Sequence, residues 1–233
     1  MRILIVNPNT TASMTKKVGE AARAAASATT EILAANPVAG PESIEGYYDE
    51  AFSVPGLIGE MQLRPDMDAY IIACFDDTGL EAARCMTDAP VIGIGEAAFH
   101  MASMLAHRFG VVTTLQRSIP AIENNLVKYG LASRCSKVRA ADVAVLDLEG
   151  RNEVALGKIT DRIVESLEQD GAEAIVLGCA GMADLARSLS DKFNVPVLDG
   201  VACAVKLAEA LAGMGLKTSK QRAYAAPISK RYS

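Results

Sequence analysis

The sequence predicts an α/β protein made of two similar units, each a four-stranded parallel sheet covered by helices. Two observations carry this expectation. Short apolar runs alternate with amphipathic segments of helical length along all 233 residues, the pattern of a parallel sheet with helices on its faces. Landmarks also recur at nearly one offset. The segments AYIIACFDDTGLEAAR and AIVLGCAGMADLAR place Cys74 and Cys179 105 residues apart. The pairs Pro90-Val91 and Pro196-Val197 lie 106 apart, as do Asn7 and Thr113, each at the end of an apolar run.

Taken in order, the chain opens with a strand over Ile3–Val6, a helix over Ser13–Ala26 and a strand over Glu31–Ala35. A helix over Tyr48–Gln62 leads to the strand Ala69–Ala73, the short helix Gly79–Met86 and the strand Val91–Ile94. The second half repeats the alternation. Its strands are Phe109–Thr113, Val138–Ala141, Ala174–Leu177 and Val195–Leu198. Its helices are Ala97–Ala106, Ser118–Tyr129, Asn152–Glu168, Ala183–Asp191 and Ala202–Met214. Most strands are continuous apolar runs, as expected when both faces are buried. Thr78 and Glu81 fit a capping box, T-x-x-E, at the start of the short helix.

The halves are expected to exchange at their ends. A break near Gly95-Glu96 and a return near Gly200 divide the chain into one domain of 1–96 with 201–233 and a second of 97–200. The helix over Ala202–Met214 then packs back on the first half. The tail Lys217–Ser233 is basic, lacks an apolar period and reads as a surface-bound or frayed terminus.

Composition excludes several classes. Half of the residues are hydrophobic and 22% are charged, enough for a full core. A net charge of −5 argues against a nucleic-acid partner, which calls for a basic face. No apolar run approaches a membrane span, and MRILIVNPN lacks the features of a signal peptide, so a cytoplasmic location is expected. The five cysteines form no C-x-x-C pair, poor material for a disulfide framework. His100 and His107 belong to no metal-ligand motif, and no metal is expected.

Ligands of open α/β sheets bind beyond the carboxyl ends of the strands. Those ends carry Asn7 to Thr11, Cys74 to Thr78, Thr113-Thr114 and Gly178 to Gly181. A lone cysteine often merely packs, but this pair repeats one placement, with a helix start nearby to favour a thiolate. Two facing halves would bring one thiol from each to a shared cleft. Asp76 and Asp77 are expected to bind backbone amides or solvent, with one of them available to a substrate. The loop Pro41–Gly46 offers Ser43 and Glu45 to the cleft.

Together NPNTTASMT, SIEG, IIACFDDTGL, VTTL and IVLGCAGM resemble the aspartate/glutamate/hydantoin racemase superfamily over nearly the whole chain, most of all its hydantoin racemase branch, which includes allantoin racemases. The resemblance implies two flavodoxin-like domains of the Asp/Glu-racemase type, related by a pseudo-twofold axis, with the site between them. It implies cofactor-independent 1,1-proton transfer by Cys74 and Cys179, one as thiolate and one as thiol. Asn9, Thr113 and Thr114 match positions that contact substrate or its oxyanion. Amino-acid racemases of the superfamily carry Asn-Thr after the first cysteine and Thr-His after the second. Here Phe75-Asp76 and Ala180-Gly181 stand in those slots, which favours a neutral ring, a 5-substituted hydantoin or allantoin, with Phe75 and the small Ala180-Gly181 leaving room beside it. An Asp/Glu racemase, a maleate isomerase or an arylmalonate-type decarboxylase with the same cleft is the alternative. A non-catalytic binding module and a redox protein are rivals of other classes. A homo-oligomer is expected, with a small cyclic ureide as the partner and no membrane or nucleic acid.

Overall fold

A computed structural model describes residues 1–148 and 152–231 of the chain. Eight strands form two parallel sheets. The first holds β1 (Arg2–Val6), β2 (Glu31–Ala35), β3 (Ala69–Ile72) and β4 (Val91–Gly93) in the order β2-β1-β3-β4. The second holds β5 (Phe109–Thr113), β6 (Cys135–Ala140), β7 (Ala174–Gly178) and β8 (Val197–Asp199) in the order β6-β5-β7-β8. The two orders are the same, and so is the register at the strand ends. Val6 pairs with Ile72 in one sheet and Thr113 with Gly178 in the other. In each sheet the chain reverses direction of winding between the first and third strands, which leaves a crevice at their carboxyl ends.

The helices are α1 (Ala12–Ala25), α2 (Tyr47–Gln62), α3 (Leu80–Met86), α4 (Ile94–Leu105), α5 (Ile119–Lys128), α6 (Glu153–Glu168), α7 (Ala186–Phe193) and α8 (Gly200–Gly213). Two of them cross over. Helix α4 leaves the first sheet and packs on β7 of the second, while α8 leaves the second sheet and packs on β3 and α1 of the first. They also pack on each other. The middle core is therefore continuous, with Ile5 and Ile71 joined through Ala98, Phe99, Ala204 and Val205 to Phe109 and Val176. Separate outer cores lie on the far faces: Leu57, Met61 and Leu80 over the first sheet, and Ile159, Ile163 and Leu189 over the second.

Several boundaries differ from the sequence reading, most of them by one to three residues. The edge strand β6 begins at Cys135, three residues before the apolar run, because its first half is only partly covered and includes exposed Lys137. Helix α4 starts at Ile94 directly from β4, since Asp77 from the end of the neighbouring strand caps it. Its carboxylate accepts the N–H groups of Gly95 at 2.9 Å and Glu96 at 2.8 Å. Helix α7 starts at Ala186 because a 3-10 turn, Ala180–Leu185, occupies the preceding stretch. It ends at Asn194, whose left-handed backbone (φ 53°) delays β8 to Val197.

The tail is held on the surface. Thr218 N–H donates to Asp88 O at 2.7 Å, Lys220 Nζ donates to Arg84 O at 2.6 Å, and Arg84 lies over the Tyr224 ring. Tyr232 and Ser233 lie outside the described residues.

Candidate active site

The carboxyl ends of β1, β3, β5 and β7 face a cleft with about 410 Å³ of empty space, part of it open to solvent. Cys74 enters from beyond β3 and Cys179 from beyond β7, and both half-buried thiols line this one cavity. Asn9, Phe75, Asp76, Thr114 and Ala180 line it too.

Asn9 is held for binding. Its Oδ1 accepts from Asn7 Nδ2 at 2.7 Å and from Thr11 N–H at 3.0 Å. Its Nδ2 makes a long contact of 3.7 Å with Met14 Sδ, which leaves that amide with bonding capacity in hand. Asn7 also donates to Thr15 Oγ1 at 3.0 Å, which fixes the loop to α1.

Three residues singled out from sequence stand back from the lining. Thr113 Oγ1 donates to Gly178 O at 3.0 Å and ties the two central strands together. Gly181 lies behind Cys179, where an added Cβ would come 3.6 Å from Sγ. Ser43 is half-exposed, and its neighbour Ile44 lines the cleft instead. Glu45 Oε1 accepts the Val145 N–H at 3.0 Å and links the loops of the two halves.

The side chains of Phe75 and Thr78 are fixed by their neighbours. The Phe75 ring is 4% exposed and packs edge-on against Phe99 at 5.3 Å, so the residue borders the cleft while its ring lies mostly in the core. Thr78 does not form a capping box. Its Oγ1 donates to Cys74 Sγ at 3.3 Å, while Glu81 pairs with Lys128. The lining also includes Met14, Ile44, Val145, Asn7 and Ser118. The apolar members were not legible because an isolated Met, Ile or Val at a loop or helix start carries no chemical signal. Among the described residues no group of three His, Cys, Asp or Glu side chains is placed to hold a metal.

The electrostatics favour neutral groups. Burial pushes the Cys179 thiol up to about 11, with Asp76 and Glu45 adding to the rise and the Gly181 amide and Lys17 opposing it. Burial pushes Cys74 well above the usual thiol range, and the nearby Asp76 adds to this against the Thr78 hydroxyl. At pH 7 the Cys179 thiolate therefore lies about 5 kcal/mol above the thiol. Desolvation outweighs the help expected from a helix start, because α3 begins six residues beyond Cys74 and only a 3-10 turn follows Cys179. Burial, with Glu50 and Asp77 close by, raises Asp76 to about 8, so it is a neutral carboxylic acid at pH 7 and a hydrogen-bond donor. Burial also raises Asp77, to about 7, against the pull of Tyr129 and the α4 amides.

A pH prediction follows from the signs. Thiolate at either cysteine grows with pH, but above about pH 8 Asp76 becomes charged and opposes it. Asp76→Asn is expected to speed alkylation of both thiols about 3- to 10-fold above pH 8.5, the size of one nearby charge, and to leave rates below pH 7 unchanged. Peptide-resolved iodoacetamide labelling against pH measures this. Equal rates in the two proteins above pH 8.5 would exclude a carboxylate beside the sulfurs.

The family model described as Asp/Glu/Hydantoin racemase matches residues 3–208 of the chain. A hydantoin racemase of Pseudomonas sp. (strain NS671) is 46% identical, covering 100% of this chain and 94% of that protein. One of Rhizobium meliloti is 49% identical, covering 99% and 96%. Among solved structures, allantoin racemase from Klebsiella pneumoniae superposes with a TM-score of 0.97 at 46% identity, covering 100% of this chain and 96% of that one. The Picrophilus torridus aspartate racemase shares the fold, with a TM-score of 0.65 at 13% identity over 96% of this chain and 99% of that one.

Proposed function

The chain belongs to the Asp/Glu/hydantoin racemase family, and from that premise we propose that it inverts C5 of a hydantoin-type ring, a 5-substituted hydantoin or allantoin, by two-thiol proton transfer without a cofactor. As a member of that family it is a racemase, an isomerase. The observation that carries the proposal is the placing of Cys74 and Cys179 on one cavity from matching strand ends of the two sheets. The substrate class draws support from the hydantoin and allantoin racemases to which the chain is similar.

In the proposed reaction the thiolate of one cysteine takes the C5 proton. The electron pair left on C5 moves onto the adjacent carbonyl oxygen as an enolate. Asn9 Nδ2, the Thr114 hydroxyl and the neutral Asp76 carboxyl are donors for that oxygen, and aimed donors of this kind stabilise developing charge. The opposite thiol then gives its proton to the other face of C5. The proton count is unchanged, and the cysteines end with their protonation states exchanged. No Lys or Arg is among the described residues that line the cleft. A free amino acid's α-carboxylate would lack a charged partner there, whereas a neutral ring carries no such cost. The apolar wall of Met14, Ile44 and Val145 suits a ring substituent.

The same proposal divides the chain into 1–96 with 201–233 and 97–200. The crossing of α4 and α8 supports it, although Tyr232 and Ser233 lie outside the described residues. It places a homo-oligomeric enzyme in the cytoplasm. No helix among the described residues is long and apolar enough to cross a membrane.

Polarimetry in D2O tests the function. Optically pure 5-substituted hydantoin, allantoin, aspartate and glutamate are each followed with and without the protein. The expected result is enzyme-dependent loss of rotation with a cyclic ureide, one deuterium at C5 of the inverted product, and no change with the amino acids. Retained rotation for both ureides, or inversion of aspartate or glutamate in their place, would overturn the reading.

A further inference from the structure

The two thiols occupy matching strand ends but not matching fields. The titratable groups facing Cys74 are acidic: Asp76 from its own loop and Glu50 from α2. Cys179 faces Asp76 across the cleft, Glu45 from the loop before α2, and a cation, Lys17 on α1. Lys17 belongs to the first half of the chain, yet its ammonium meets described residues of the second. Its Nζ donates to Gly181 O at 2.6 Å and to Leu148 O at 3.3 Å, and it pairs with Asp184 at 3.0 Å. Gly181 and Asp184 belong to the turn that follows Cys179, and an added Cβ on Gly181 would stand 3.6 Å from the Cys179 sulfur. The ammonium thus grips the residue that lies against Sγ. Its side chain is 26% exposed, so its field is only partly screened by water.

We propose that Lys17 is a positioning residue for Cys179, clamping the 180–184 turn from the other half of the chain so that Gly181 is held against the sulfur and Cys179 ionises before Cys74. A near cation favours a thiolate, and among the described residues the groups named as acting on Cys74 include no lysine. In turnover the thiolate starts at Cys179, and the enantiomer whose C5 hydrogen faces Cys179 is the one that the resting enzyme accepts directly. That consequence rests on the two-thiol reading, whereas the order of ionisation is a property of the resting protein.

The test is residue-resolved alkylation of the full chain by iodoacetamide between pH 7 and 10. Lys17→Met is expected to slow labelling of Cys179 about 3- to 10-fold at each pH, with Cys74 changed less than about twofold and Lys17→Arg restoring most of the rate. Asp184→Asn removes the counter-charge and is expected to speed Cys179 labelling. An unchanged Cys179 rate in Lys17→Met, or equal slowing of both thiols, overturns the proposal. If Lys17→Met does not fold, Asp184→Asn decides, because it alters a carboxylate that is 57% exposed, and an unchanged Cys179 rate there overturns the proposal equally. Racemisation by a Cys179→Ser variant would instead defeat the two-thiol reading and leave the labelling result standing.

Discussion

Cys74→Ser and Cys179→Ser are each expected to lower racemisation about 1,000-fold or more, the usual scale for losing a positioned acid or base, while keeping proton exchange on one enantiomer. Both sulfurs line a single cavity, one from each sheet. With one replaced by a hydroxyl, the surviving thiolate still removes the C5 proton from its own face. The opposite face then has no group acidic enough to return one, so the carbanion is reprotonated from the side it came from. In D2O the expected signature is deuterium entering one enantiomer with its rotation retained, and the other enantiomer labelled in the second variant. The equilibrium constant between enantiomers is one, so neither variant can favour a product. Racemisation at the original rate with either thiol removed would defeat the mechanism. Loss of exchange in both variants would assign the proton removal elsewhere.

Gly200→Ala is the second large effect, and it acts on the fold. Gly200 opens α8 where that helix meets the start of α4, and a Cβ there would stand 2.4 Å from Ile94 O. Gly95, the matching residue at the start of α4, has equally little room, with Phe75 O 2.3 Å from its would-be Cβ. The obstruction is backbone in both cases, so no side-chain rotation relieves it. Overpacking of this kind costs about 3 kcal/mol, which in a chain of this size lowers Tm by about 6–12 °C. The strained contact lies where the two sheets are joined, so activity is expected to fall along with stability. Gly157→Ala is the control. Gly157 is exposed in α6 with nothing within 4 Å of its would-be Cβ, and the change should stabilise by about 0.5–1 kcal/mol. A Gly200→Ala protein melting within 2 °C of the parent would refute the close crossing of α4 and α8.

Much of the architecture is legible because its causes are local. A run such as Ala69 to Ile72 is apolar throughout since both of its faces are covered, and the burial of all four residues matches that. The edge strand β6 is the counter-example. Lys137 faces water, and the apolar criterion recognises only the inner half. Helix starts were harder. The T-x-x-E signal at Thr78 is a capping pattern in isolation, but a sulfur four residues back competes for the hydroxyl. Asp77, which bears no such signal for α4, caps it from 18 residues away. Within the cleft, polar and thiol residues were readable by type, whereas Met14, Ile44 and Val145 became part of the wall only through folding.

By itself the sequence determined two repeated α/β halves with parallel sheets, and a cysteine just beyond the matching strand of each. Periodicity and strand-end position are short-range properties, and a duplicated chain states them twice. Only the tertiary structure decided that α4 and α8 trade sheets, that the Phe75 ring turns inward, and that Lys17 meets a carbonyl 164 residues away. It also decided that burial raises both thiols above the usual range. Burial and charge at a site are sums over groups brought together from distant parts of the chain, and no local stretch of residues contains that sum.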